Sequence, residues 1–76
     1  MGIKKEKQNI FARRLETALL FYNVTQQELA NYVGVTRQAI GKYKDGITTP
    51  DIYTFKKIVK FFKSKNYRLS YEFWLD

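Results

Sequence analysis

A chain of 76 residues with neither cysteine nor histidine has to hold itself together by packing alone. At this length folding buries only about 60% of the surface that the unfolded chain exposes. Disulfides and Cys/His zinc sites, the usual reinforcements of small domains, are closed to it. The same absence removes imidazole as an acid–base group and thiolate as a nucleophile. An enzyme is thereby disfavoured, and the expectation is no catalytic residue, no metal and no cofactor. The length allows one domain with one core. That core must be built from elements with strong local signals.

Those signals are helical. Phe11, Leu15, Ala18, Leu19 and Tyr22 recur at spacings of three and four, so they share one helix face, and Asn23 is suited to the left-handed stop. Thr25-Gln-Gln-Glu28 has the form of a capping box, followed by Leu29, Ala30 and Val33 as the apolar face and Gly34 as the stop. Thr36 is the next N-cap, with Ala39, Ile40 and Tyr43 at helical spacing before Asp45-Gly46. Thr49-Pro50 predicts a fourth helix, with Thr49 as cap, Pro50 at the first helical position and Asp51 near the positive end of the dipole. Ile52, Phe55, Ile58, Val59 and Phe62 form its expected buried stripe. Lys63 to Arg68 is polar, either a continuation of that helix or a loop, and Ser70 is placed to cap a short last helix through Phe73, Trp74 and Leu75. No strand-like alternation persists. The fold class is all-α, with five helices.

Fourteen Lys/Arg against seven Asp/Glu give a net charge of +7, which favours a polyanionic partner, nucleic acid or an anionic surface. A hydrophobic fraction of 45% argues against disorder. The longest apolar run, Ala18 to Tyr22, is far short of the ~20 residues that span a bilayer. The basic start (Lys4, Lys5, Lys7) is not followed by a signal-peptide core, and Glu6 spoils a myristoylation motif. No membrane partner and a cytoplasmic location are expected.

Two short helices meeting at Gly34-Val35 make the geometry of a helix-turn-helix. Gly34 permits the turn, Ala30 the close approach, and Val35 and Ile40 fill the angle between the helices. At this point the segment from Thr25 to Gly46 resembles the helix-turn-helix of the phage repressor/Cro family, the xenobiotic-response-element type. The order Gln26, Leu29-Ala30, Gly34, Ile40, Gly46 and Pro50 carries the resemblance. It extends through the fourth helix and returns at Ser70 to Leu75, covering nearly the whole chain from Phe11. The resemblance implies a compact five-helix, lambda-repressor-like DNA-binding domain over residues 10–76, with its motif at about 26–45 and a basic arm or helix extension at 1–9.

It also implies roles. The second motif helix, Thr36 to Lys44, would lie in the major groove of a double-stranded DNA operator. Arg37, Gln38 and Lys42 match the family's base-reading positions, and Arg suits guanine as Gln suits adenine. Lys42 would read a base or touch a phosphate. Gln26 resembles the family's backbone-contacting glutamine, with the dipole of the first motif helix behind it. Thr36, Lys44, Thr48 and Thr49 are candidate phosphate contacts, although capping would account for the threonines. Gly41 costs its helix roughly 0.5–1 kcal/mol relative to alanine. Close approach of DNA would explain it, as would a tolerated surface weakness.

The function implied is sequence-specific operator binding by a transcriptional regulator, a repressor or Cro-like protein of a phage, prophage or mobile element. A homodimer on a pseudo-palindromic site, weak or monomeric in solution, is the expected assembly. The alternative is a basic protein-interaction module or a non-specific binder of nucleic acid or anionic surfaces. Tyr67, Tyr71, Phe73 and Trp74 must partly close the core over Phe11 and Leu15, and any left exposed would mark a dimer surface. The sequence ends just past the fifth helix, where a linker to a further domain would begin.

Overall fold

Polar caps and left-handed residues divide the chain into the expected helices. The computed structural model describes residues 10–75, in which α1 (Ile10–Phe21), α2 (Gln26–Val33), α3 (Arg37–Lys44), α4 (Ile52–Lys63) and α5 (Tyr71–Leu75) follow in order. The basic arm expected at 1–9, with Lys4, Lys5 and Lys7, lies outside the described residues. Asn23 ends α1 at φ 57° and Gly34 ends α2 at φ 88°. The Thr25 hydroxyl accepts from the Glu28 N–H and the Thr36 hydroxyl from the Ala39 N–H, each at 3.0 Å. Both caps stand where the sequence places them.

The start of α4 corrects the expectation. Asp51 is its cap, accepting from the Thr54 N–H at 2.8 Å, so Thr49 does not cap and Pro50 precedes the helix rather than opening it. A carboxylate accepts more strongly than a hydroxyl and also complements the dipole, so the later of two rival caps prevails. The Thr54 N–H, and after it the Thr54 side chain, hold the Asp51 carboxyl below its ordinary value of 3.8. A carboxyl depressed in the folded state stabilises it above that value and loses the effect as pH falls through the folded pKa. Asp51→Ala should therefore melt below the wild type at neutral pH, and the gap in melting temperature should narrow as the pH falls below 3.8. Parallel melting curves across that range would contradict the cap.

Leu15, Leu29, Ile40, Ile58, Phe62 and Trp74 are all fully buried and draw one residue or more from every helix. α2 packs on α3 and α4, while α1 packs on α3 and α5. Ile52, expected in the buried stripe, is 56% exposed. It lies on the core-facing side of α4 but in the first turn, where the stripe runs past the edge of the core. Phe61 is buried instead, against the ring of Tyr32 at 5.1 Å.

A five-residue helix is not stable alone, and α5 is fixed from two sides. Trp74 sits among the rings of Phe11, Phe62 and Phe73, with centroids 5.8, 5.3 and 5.0 Å away. From α1, Arg14 donates through Nε to the Phe73 carbonyl at 3.0 Å, occupying an acceptor that the helix end leaves open. The connector before α5 is a tied loop and not an extension of α4. Asn66 donates to the Tyr22 hydroxyl at 2.9 Å and accepts from the Arg68 N–H at 3.0 Å, while Leu69 is buried.

Candidate nucleic-acid interface

The turn between α2 and α3 is built from backbone groups. The N–H groups of Gly34 and Val35 both donate to the Ala30 carbonyl, at 2.8 and 3.1 Å. Ala30 is itself fully buried, so α3 comes close, and Ile40 anchors the inner face of α3 at 0% exposure. At 3.6 residues per turn, Gln38 and Lys42 then fall nearly opposite Ile40. Gln38 and Lys42 are exposed on this outer face, and Arg37, also exposed, flanks it about 60° around the helix from Ile40. α3 contains Arg37, Lys42 and Lys44 and no acidic residue. Its exposed surface is therefore polar and cationic, and Ile40 anchors it from within.

Gln26, the first residue of α2, reaches across to α3. Its Nε2 donates to the Arg37 carbonyl at 3.4 Å. The same nitrogen lies 3.1 Å from where a Cβ on residue 41 would stand. Gly41 thus leaves room for the Gln26 side chain, a reason within the protein that the sequence reading did not offer. The paired signal was present, a glutamine at the start of one motif helix and a glycine in the middle of the next. Only the crossing of the helices joins them.

The remaining candidates flank this face. The Thr36 hydroxyl oxygen accepts within the cap, which leaves its proton to donate outward. Lys44 is half-buried, and its Nζ lies 3.0 Å from Asp45 Oδ1. Thr48 and Thr49 are exposed in the loop after α3. The Ile47 N–H, donating to the Lys42 carbonyl at 2.8 Å, ties that loop to the end of the helix. Tyr43, on α3, is pushed up in pKa by burial and then by the charge of Asp51, so its phenol stays neutral. Among the described residues no group of His, Cys, Asp and Glu is arranged to hold a metal, and no helix is long and apolar enough to cross a membrane.

Gly41→Ala is informative here. Alanine gains about 0.8–1 kcal/mol of helix propensity over glycine. Among the described residues the close neighbour of the new methyl is the end of the flexible Gln26 side chain, which can swing aside. The variant should melt slightly above the wild type, read by circular dichroism; a lower melting temperature would mean that the Gln26 contact outweighs propensity.

Three elements, two of them short helices meeting at a left-handed glycine and the third an exposed cationic face, define a helix-turn-helix protein. Residues 22–66 match the family described as Helix-turn-helix. The chain belongs to this Cro/C1-type family of DNA-binding domains. A curated relative, the SPbeta prophage-derived uncharacterized HTH-type transcriptional regulator YonR of Bacillus subtilis (strain 168), is 37% identical over 49 residues. The aligned region covers 64% of this chain and 45% of that protein, so the chain spans less than half the length of this relative. No solved structure matches.

Proposed function

We propose that the chain is a prophage-type transcriptional regulator, a repressor or Cro-like protein of the cytoplasm that binds a specific double-stranded DNA operator. Residues 10–76 form the binding unit and α3 enters the major groove. Arg37, Gln38 and Lys42 read base edges, while Gln26, Thr36, Gly41, Lys44, Thr48 and Thr49 approach the backbone. The observation that carries this reading is the exposed Arg37-Gln38 pair in the first turn of α3, a helix anchored on its inner side by the fully buried Ile40. Nothing in its chemistry calls for catalysis.

Selecting bound sequences from a random duplex pool tests it. A sequence reader returns one motif and keeps a gap of ~10³ or more between that motif and scrambled duplexes. A basic module without readout returns no motif, and its binding falls with salt equally on all duplexes.

A second copy completes the operator complex in this proposal. Around a groove lined by Phe11, Thr49, Pro50, Ile52, Phe55 and Leu75, the side chains of Ile52 and Leu75 are 56% and 65% exposed. Ile47 and Tyr53, in the adjoining loop and first turn of α4, are exposed too. This apolar surface begins where α3 ends, so a two-fold axis through it would set two reading helices side by side. Half-sites about one helical turn (~34 Å) apart are then expected. Sedimentation on the selected duplex should give two chains per operator; one chain at saturation would remove the dimer.

A further inference from the structure

We propose that the groove between α4 and α5 docks an acidic helical segment of a partner protein. Lys56, Val59, Lys60, Lys63, Ser64 and Tyr71 line it, enclosing about 490 Å³. Val59, 1% exposed, lies beneath the groove, and the accessible apolar surface comes from the lysine stems and from Tyr71, 46% exposed, whose ring is 5.7 Å from that of Phe55. Lys56, Lys60 and Lys63 stand at i, i+4 and i+7, on one helix face over a rise of roughly 10 Å.

None of these lysines has an ion-pair partner among the described residues, where the one pair is Lys44–Asp45. Uncompensated cations beside an exposed aromatic ring match a helix carrying acids at i, i+4 and i+7 with an apolar side chain between them. Opposed charge of this kind speeds encounter and selects the partner. A second copy does not supply such a segment. Glu16, Glu28 and Glu72 are the lone acids of α1, α2 and α5, and α3 and α4 have none. A DNA backbone fits less well, because no lining residue comes from α2, α3 or the loop after α3, and phosphates have no use for the apolar wall at Tyr71.

The test titrates the full chain with a labelled helical peptide bearing Glu at i, i+4 and i+7 and one Leu, beside a scrambled peptide of the same composition. Backbone NMR signals at Val59 and Ser64 and the methyl signals of Val59 should shift with the ordered peptide. Its affinity should fall at least about tenfold in Lys60→Glu, while binding to the selected operator changes less than about twofold. Lys56→Gln/Lys63→Gln serves as a milder second variant, and circular dichroism checks that both fold. Equal binding of the scrambled peptide, or shifts lying outside α4 and α5, would overturn the proposal. So would an equal loss of affinity for every duplex in the lysine variants, which would make this face a DNA contact.

Discussion

Trp74→Ala should be the most damaging single substitution in the domain, costing about 3–5 kcal/mol. Trp74 is fully buried and touches aromatic rings from α1, α4 and its own helix. Its removal leaves a cavity that three rings cannot refill without leaving their rotamers. The total stability of a chain this size is on the order of 4–11 kcal/mol, so the loss takes from about a quarter of it to all of it. Urea denaturation followed by circular dichroism measures the effect, because the variant lacks the chain's one tryptophan and cannot be followed by its fluorescence. Trp74→Phe shows how much of that loss is ring volume. The indole Nε1 is buried without a hydrogen-bond partner among the described residues, and an unsatisfied donor of this kind costs about 1–3 kcal/mol. Phenylalanine removes that donor while keeping an aromatic ring, so its loss should be much smaller than alanine's. Both variants lack the donor, so equal losses would show that a ring kept in the gap contributes nothing.

Arg37→Ala and Gln38→Ala should leave stability within about 0.5 kcal/mol of the wild type, since both side chains are exposed. Their expected effect is on discrimination. Each bidentate base contact is worth about 1–3 kcal/mol, roughly 5- to 150-fold in preference for the right base. With both removed, the gap between operator and scrambled duplex should shrink by the product of the two factors, while residual binding keeps its salt dependence. Lys44→Ala and Thr48→Ala provide the contrast, since loss of a phosphate contact weakens all sequences alike. Competition binding against single-base variants of the selected site makes the distinction. A uniform loss for Arg37→Ala would reassign that residue from base to backbone.

Most of the architecture was legible because its signals are local. Thr25 and Thr36 cap their helices through hydrogen bonds three residues away, and Asn23 and Gly34 end helices through their own φ angles. The start of α4 was misplaced by two residues because Thr49-Pro50 and Asp51 offer rival starts. Their contest is decided by acceptor strength, which a pattern of residue types does not weigh. The exposure of Ile52 was hidden for a different reason. Periodicity assigns a residue to a face, but not to a height along the helix at which a core is still present.

By itself the sequence determined five helices, the turn at Gly34 and a cationic outer face on α3, each fixed by interactions spanning a few residues. The tertiary structure alone decided three relations between residues far apart in the chain. Gln26 fills the space left by Gly41, Arg14 holds the carbonyl of Phe73, and Lys56, Lys60 and Lys63 border a groove with Tyr71. Hydrogen-bond caps and left-handed turns act over one helical turn, so the order of residues encodes them directly. Contacts between helices depend on crossing angles and on which side chain reaches the shared gap, and these are settled only when the core closes.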